Sequence, residues 1–427
     1  MLNPSEALLQ FIWQHKLFNQ HPLICKSGNT LEIIKQGELN KNSGPDFFNA
    51  QIKINGLLLA GNIELHVKTS DWLKHGHQND MAYNTIILHA VFEHDVELEQ
   101  NTLHHVEVLE LKNFISQETL KHYDSLFSSK TKIACQNQLH RVNDFKFISW
   151  IDRMAIERLE YKTERIESYF QTYKGDFTQT FYTLLLRNFG FGVNAEPFEL
   201  LAKHLPFAIL FKHANNLIQV ESLLLGMAGL LDNSFDNKYL KLIQNEFDFL
   251  KNKYHLLQLK KELFKFSKMR PANFPTVRLA QLAAIVHFKP QIFTQPQNYM
   301  RVAELRADLS ISLSEYWQYH FTLDSEGTNK ELTLGKNSID NILMNTFAPF
   351  YFFYSKKTNH HHYHEMAFHL LESAAFELNT KTKLFSTKQA LLKSGISSQA
   401  LLNLFDNYCV KKRCLNCAVA AELLKPI

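Results

Sequence analysis

The spacing of apolar residues changes along this chain. Up to Cys135 they recur mostly at every second position or in short solid runs, and from Asp144 at every third or fourth. Alternation places successive side chains on opposite faces of a strand, whereas the longer step lays them along one face of a helix. The early part predicts an opening amphipathic helix within residues 1–20, a strand over Leu31–Ile34, and two strands joined at Asn55-Gly56. An almost wholly apolar strand over Thr85–Phe92 and an alternating one around His105–Leu111 follow. The apolar strand is expected in the interior of a sheet, covered on both faces.

In the later part Phe147, Ile151, Ala155, Leu159, Lys162, Ile166 and Phe170 share one helical face. Further helices are expected at Phe177–Phe189, Pro197–Leu205, Gln219–Leu231, Asn237–Leu256, Val277–His287, Ala303–Ser312, Ser338–Phe353, His364–Leu378 and Ser397–Asn407, punctuated by prolines. The expected organisation is a small α/β domain over residues 1–135, then a mainly α-helical domain over residues 140–427 that ends in a cysteine cluster.

The hairpin carries the chemistry. Asp46 opens its first strand, and Glu64, His66 and Lys68 fall on one face of the second, with Ile63, Leu65 and Val67 on the other. Hard divalent cations are held by carboxylate oxygens, and a metal that neutralises a phosphate and acidifies a water is what phosphodiester cleavage requires. A two-residue type I′ turn at Asn55-Gly56 pairs Ile54 with Leu57. Counted back without interruption, that register sets Asp46 opposite Leu65, on the wrong face for Glu64. One extra residue in the second strand corrects it, because a one-residue slip moves every side chain to the other face. A bulge near Gly61, or a longer turn, is therefore expected.

Just beyond lies Ser70-Asp71-Trp72-Leu73-Lys74-His75-Gly76-His77. His75 and His77 can contact a phosphate or exchange a proton near neutral pH. Together with His66 and His89 they can instead form a histidine zinc site, although His89, inside an apolar strand, fits a core role better. Cys409-x4-Cys414-x2-Cys417 is a second candidate metal centre, for zinc or an Fe–S cluster, with Cys25, Cys135 or the His360–His364 group as the fourth ligand. Arg270 and Arg278, at a proline-stiffened helix start, are expected to bind carbonyls rather than phosphate. The His360–His364 stretch is expected to be a polar loop.

Composition narrows these readings a little. The 427 residues are 45% hydrophobic and 21% charged, as in ordinary globular chains. The net charge of +4 permits a polyanionic partner such as nucleic acid without demanding one. No apolar run is long enough to span a membrane, and the first twenty residues do not resemble a signal peptide, so a cytoplasmic location is expected. Five cysteines, three of them clustered, suit a reducing compartment better than a disulfide framework.

The strings Gly44-Pro45-Asp46-Phe47, Gly61-Asn62-Ile63-Glu64-Leu65-His66, Ser70-Asp71-Trp72, His75-Gly76-His77, Tyr83 and Leu88-His89 resemble an uncharacterised bacterial family, domain of unknown function 2851. So do Asn194-Ala195-Glu196-Pro197-Phe198, Arg270 to Pro275, Ser398 to Leu401 and the terminal cysteines. The N-terminal part also resembles the PD-(D/E)XK nuclease superfamily. That resemblance implies a mixed sheet flanked by helices and a Mg²⁺- or Mn²⁺-dependent nuclease acting on DNA or RNA. Asp46, Glu64 and the Leu65 carbonyl would hold the metal, and Lys68 or His66 would orient water. His66 stands where the superfamily has lysine, so a nuclease fold retained only for binding nucleic acid or protein is the alternative. The Trp72–His77 segment is similar to the histidine-bearing loop of very short patch repair endonucleases. Some relatives carry an Fe–S cluster on one early and three late cysteines.

Overall fold

The computed structural model of the protein describes residues 4–20, 22–98, 106–323 and 332–425. Seven strands form one mixed sheet: β1 (Leu23–Ile24), β2 (Thr30–Lys35), β3 (Glu38–Leu39), β4 (Phe47–Ile54), β5 (Leu57–Lys68), β6 (Ile86–Glu93) and β7 (Glu107–Glu110). Their order is β1-β2-β4-β5-β6-β7, with β3 beside β4. The pairs up to β4–β5 are antiparallel, and β5–β6 and β6–β7 are parallel. The apolar strand β6 lies between two neighbours, as its composition predicts. His105, at the start of the expected last strand, lies outside the described residues. The sheet curls until its ends meet: the Lys26 amide, just past β1, donates to the Val108 carbonyl of β7, and Ser27 and Asn29 both donate to the Glu107 carboxylate.

The turn at Asn55-Gly56 has both residues at positive φ, +47° and +86°, and pairs Ile54 with Leu57. The register then shifts by one residue, but in the first strand and not at Gly61. Ala50 pairs with Gly61 while Phe47 pairs with Ile63, so Phe48 and Asn49 together oppose Asn62. Asn49 adopts the left-handed conformation, φ +55°, which asparagine tolerates better than most residues. Its amide donates to Asn62 Oδ1 at 3.2 Å, and Asn62 Nδ2 donates onward to Thr85 Oγ1 at 2.7 Å. This slip carries Asp46 alongside Glu64. Gly61 has another function: a Cβ there would stand 2.5 Å from Ile87 Cγ2 and 2.6 Å from the Thr85 carbonyl, so glycine is what lets β6 approach β5.

A helix, α1 (Glu6–Gln14), buries Leu8, Leu9, Phe11, Ile12 and Trp13, and the Ser5 hydroxyl caps the Leu8 amide. With Phe47, Ala50, Ile52, Ile63, Leu65, Leu88 and Ala90 these residues make the core of the sheet unit. Glu64 and His66 are buried too, which makes β5 covered on both faces.

The chain divides into two compact units. One comprises Met1–Ile151 with Lys383–Leu391 and Leu404–Ile427; the other comprises Asp152–Thr382 and Leu392–Asn403. The division thus falls inside the helix Asp144–Thr172 and not at residues 135–140, and the terminal cysteines belong to the sheet unit. The second unit is mainly helical, with helices including Phe177–Phe189, Ala195–His204, Leu217–Met227, Lys238–Tyr254, Pro275–Phe288 and Val302–Leu309. The single helix expected at 338–353 is broken by a π-helical turn, Leu343–Phe347. Its displaced carbonyls are met by half-buried donors: Lys162 Nζ binds the Met344 carbonyl as well as Asn345 Oδ1 and Gln399 Oε1, and Asn188 Nδ2 binds the Asn345 carbonyl. Burial pulls the Lys162 ammonium well below its usual pKa. Arg278 is buried against the Phe191 ring and donates to the side-chain oxygens of Asn273, Gln281 and Ser338. The histidine stretch is not a loop: His361–Ser373 is a helix that begins within it. No helix among the described residues is long and apolar enough to cross a membrane.

Replacing Gly61 by Val would force β6 away from β5, and overpacking of this kind costs roughly 1–3 kcal/mol. Urea unfolding of the Gly61→Val variant is expected to show that loss; stability equal to wild type would contradict the close approach of the two strands.

Candidate metal centre

Asp46 and Glu64 meet through the bulge. The Asp46 amide donates to Glu64 Oε2 at 3.0 Å, and the Leu65 amide donates to Asp46 Oδ2 at 3.0 Å. Asp46 Oδ1 accepts from Gln10 Nε2 on α1 at 2.7 Å. Both Asp46 oxygens therefore have protein donors, and the carboxylate is fixed from two sides. Nothing in the local sequence around Asp46 signals Gln10, because the contact spans 36 positions.

Past β5, the Asp71 carboxylate accepts the Lys68 amide at 2.9 Å and starts a single helical turn, α2 (Asp71–Lys74). Gly76 then takes φ +74°, a conformation most side chains disfavour, and His75 and His77 turn back on β5 from either side of it. Trp72, buried at 3% exposure, sets its ring edge-on to His66 and His77, and Tyr83 stacks on His77 with centroids 3.8 Å apart.

The result is a cluster of His66, His75 and His77 in which one nitrogen from each ring lies within 4.8 Å of the others. His66 Nε2 is 3.1 Å from His75 Nδ1, 3.3 Å from His77 Nε2 and 3.5 Å from Glu64 Oε1; His77 Nε2 is 3.3 Å from the same Glu64 oxygen. One ring nitrogen carries either one proton or one lone pair, so His66 Nε2 cannot satisfy three such neighbours by hydrogen bonding. A cation among them can. Ligands about 2.0–2.1 Å from a tetrahedral zinc stand about 3.3 Å apart, the value these four spacings straddle. On its other side His66 Nδ1 is 2.9 Å from His89 Nε2. His89 is thus a neighbour that orients His66, and its own Nδ1 is buried without a hydrogen-bond partner among the described residues.

The electrostatics agree. Burial, reinforced by the other imidazoles, lowers His66 to about 2, and burial with the charges of His77 and His94 lowers His89 to about 3. Both rings are neutral at physiological pH, the form in which an imidazole nitrogen can ligate. Burial and mutual repulsion push the Asp46–Glu64 pair above the ordinary carboxylate range, Glu64 the more strongly. Lys68 does not join the cluster: its charge acts on Glu93 and Asp95.

The cysteines lie elsewhere in the sheet unit. Cys409, Cys414 and Cys417 line one small cavity together with Cys135. Cys25 instead hydrogen-bonds Glu107, and burial followed by that carboxylate pushes its thiol up to about 12. The His360–His364 group belongs to the helical unit.

These shifts predict a pH profile for the EDTA-treated protein. His66 and His89 resist protonation in the fold but not when unfolded, so stability falls as pH drops below 6.5, their free value. Glu64 retains its proton in the fold above 4.5, where the unfolded chain releases it, so its contribution falls as pH rises from that point. Unfolding free energy measured against pH is expected to pass through a maximum near pH 6.5. Compared with wild type, Glu64→Gln should gain stability as the pH is raised; parallel profiles for the two proteins would contradict the assignment.

No curated protein and no solved structure matches the chain. A profile described as "Protein of unknown function (DUF2851)" matches residues 6–380, most of its length. The chain, with its three converging histidines beside the Asp46–Glu64 pair, belongs to the DUF2851 family.

Proposed function

We propose that this protein is a metal-dependent hydrolase of phosphodiesters, with nucleic acid as its substrate class. The observation that carries the metal is the convergence of His66 Nε2, His75 Nδ1 and His77 Nε2 within 4.8 Å of one another, with Glu64 Oε1 3.5 Å from the first and 3.3 Å from the third. Nitrogen donors favour zinc or manganese over magnesium, which prefers oxygen. The nuclease part of the proposal draws on the strand order. An antiparallel β4–β5 pair is followed by parallel β6, with Asp46 entering the first strand beside Glu64 on the second, the placement expected of a PD-(D/E)XK site. The mildly basic chain, at +4, suits a polyanion.

In this reading the ion supplies Lewis acidity and a water of lowered pKa. The protein residues do the rest. His66 keeps its Nδ1 proton on His89 and so presents the Nε2 lone pair. Trp72 and Tyr83 hold His66 and His77 in place by ring contacts. Glu64 either completes the ligand set or takes the proton of an attacking water, and Asp46, anchored by Gln10 and the Leu65 amide, fixes the backbone against Glu64. Lys68 has no part in it, and His66 replaces the expected lysine by acting as a ligand.

The test is hydrolysis of labelled DNA and RNA, single- and double-stranded, by EDTA-stripped protein resupplied with Zn²⁺, Mn²⁺ or Mg²⁺. Cleavage with Zn²⁺ or Mn²⁺, reduced at least about a hundredfold in His75→Ala/His77→Ala and in Glu64→Gln, is expected. Mg²⁺-dependent cleavage that survives loss of both histidines would instead assign the metal to Asp46, Glu64 and the Leu65 carbonyl. Salt-sensitive binding without cleavage under any condition would identify a nucleic-acid-binding scaffold and overturn the proposal.

A further inference from the structure

We propose that Cys135, Cys409, Cys414 and Cys417 form a four-thiolate structural zinc site that ties the end of the chain into the sheet unit. These are four of the five cysteines in the protein, and 274 positions separate the first from the second, yet they line a single cavity. Its remaining walls are mostly apolar, including Leu126, Ile133 and Ala420. Scattered buried cysteines behave as small hydrophobes and have no reason to collect in one place.

Short turns fold the three late cysteines back toward one another, and binding would draw their sulfurs, which do not yet form a group within 4.8 Å, onto one ion. Cys409 ends the turn Leu404–Cys409, and Lys412, at φ +51°, reverses the chain so that its amide donates to the Cys409 carbonyl. The Cys417 amide donates to the Cys414 carbonyl, closing a short turn between those two cysteines. Lys411, Lys412 and Arg413 lie between Cys409 and Cys414. A zinc ion with four thiolates carries two net negative charges, which these basic residues offset. Binding releases one proton from each thiol.

The spacings x4 and x2 fit zinc ligand pairs, and they also occur in [2Fe–2S] proteins. The cavity between the cysteines is small, about 20 Å³, of the order of one water-sized sphere, and metal analysis separates the two. Four thiolates also leave no open position, so the site is structural.

The experiment uses the full chain carrying His75→Ala/His77→Ala, which removes the histidine centre and keeps this test separate from the function proposed above. Metal analysis is expected to find about one zinc per chain, lost when Cys135→Ser or Cys409→Ser is added. X-ray absorption at the zinc edge, made on the protein with all its cysteines and therefore independent of how those variants fold, should give four sulfurs at about 2.3 Å. Zinc bound by three sulfurs and a nitrogen or oxygen would remove Cys135 from the site. Iron with acid-labile sulfide, or protein isolated without metal and unable to take up zinc, would overturn the proposal.

Discussion

A carboxylate and an imidazole buried next to a second carboxylate set the terms for the sheet unit. Glu64 and His66 lie on a strand covered on both faces, at 5% and 1% exposure, and neither face offers water to solvate a charge. Glu64 cannot ionise beside Asp46 without a positive charge, and among the described residues the basic groups paired with it are two histidines. The cation proposed above would meet both conditions together, compensating the carboxylate and using His66 in the neutral form that burial imposes.

The surroundings follow from that need. The bulge at Phe48 and Asn49 brings Asp46 to the correct side, Gly61 lets β6 carry His89 up to His66, and Gly76 folds two imidazoles onto a third. The bulge and Gly76 are local backbone departures from regular structure. Such departures tend to collect where side chains must be aimed at one point rather than packed into a layer.

Much of this was legible in the chain. Alternation marked the hairpin, and the conflict between an uninterrupted register and a joint Asp46–Glu64 site demanded one extra residue. Its place was not legible. Gly61 offered the obvious signal, whereas the slip is made by Asn49 and stabilised by Asn62, two ordinary polar residues whose bond exists only once the strands have paired. Gln10 and the orienting contact of His89 escaped for the same reason, since both depend on elements distant in sequence. The three-histidine cluster was visible only as one of two chemistries, because spacing along a loop does not fix where its rings point. Lys68 looked equivalent to His66 by alternation, yet it sits toward Glu93 and Asp95, beyond the cluster. In the helical unit, periodicity located the helices, but the π-helical turn at Leu343–Phe347 carries no periodic signal, and Lys162 is explained only by the carbonyls that turn exposes.

The most direct test of the central claim is anomalous diffraction at the zinc and manganese absorption edges from crystals grown with each metal. The account predicts an anomalous peak bonded to His66 Nε2, His75 Nδ1 and His77 Nε2, at about 2.0–2.1 Å for zinc, with Glu64 within reach. A peak held only by Asp46, Glu64 and the Leu65 carbonyl, or none in this part of the sheet unit with either metal, would contradict it.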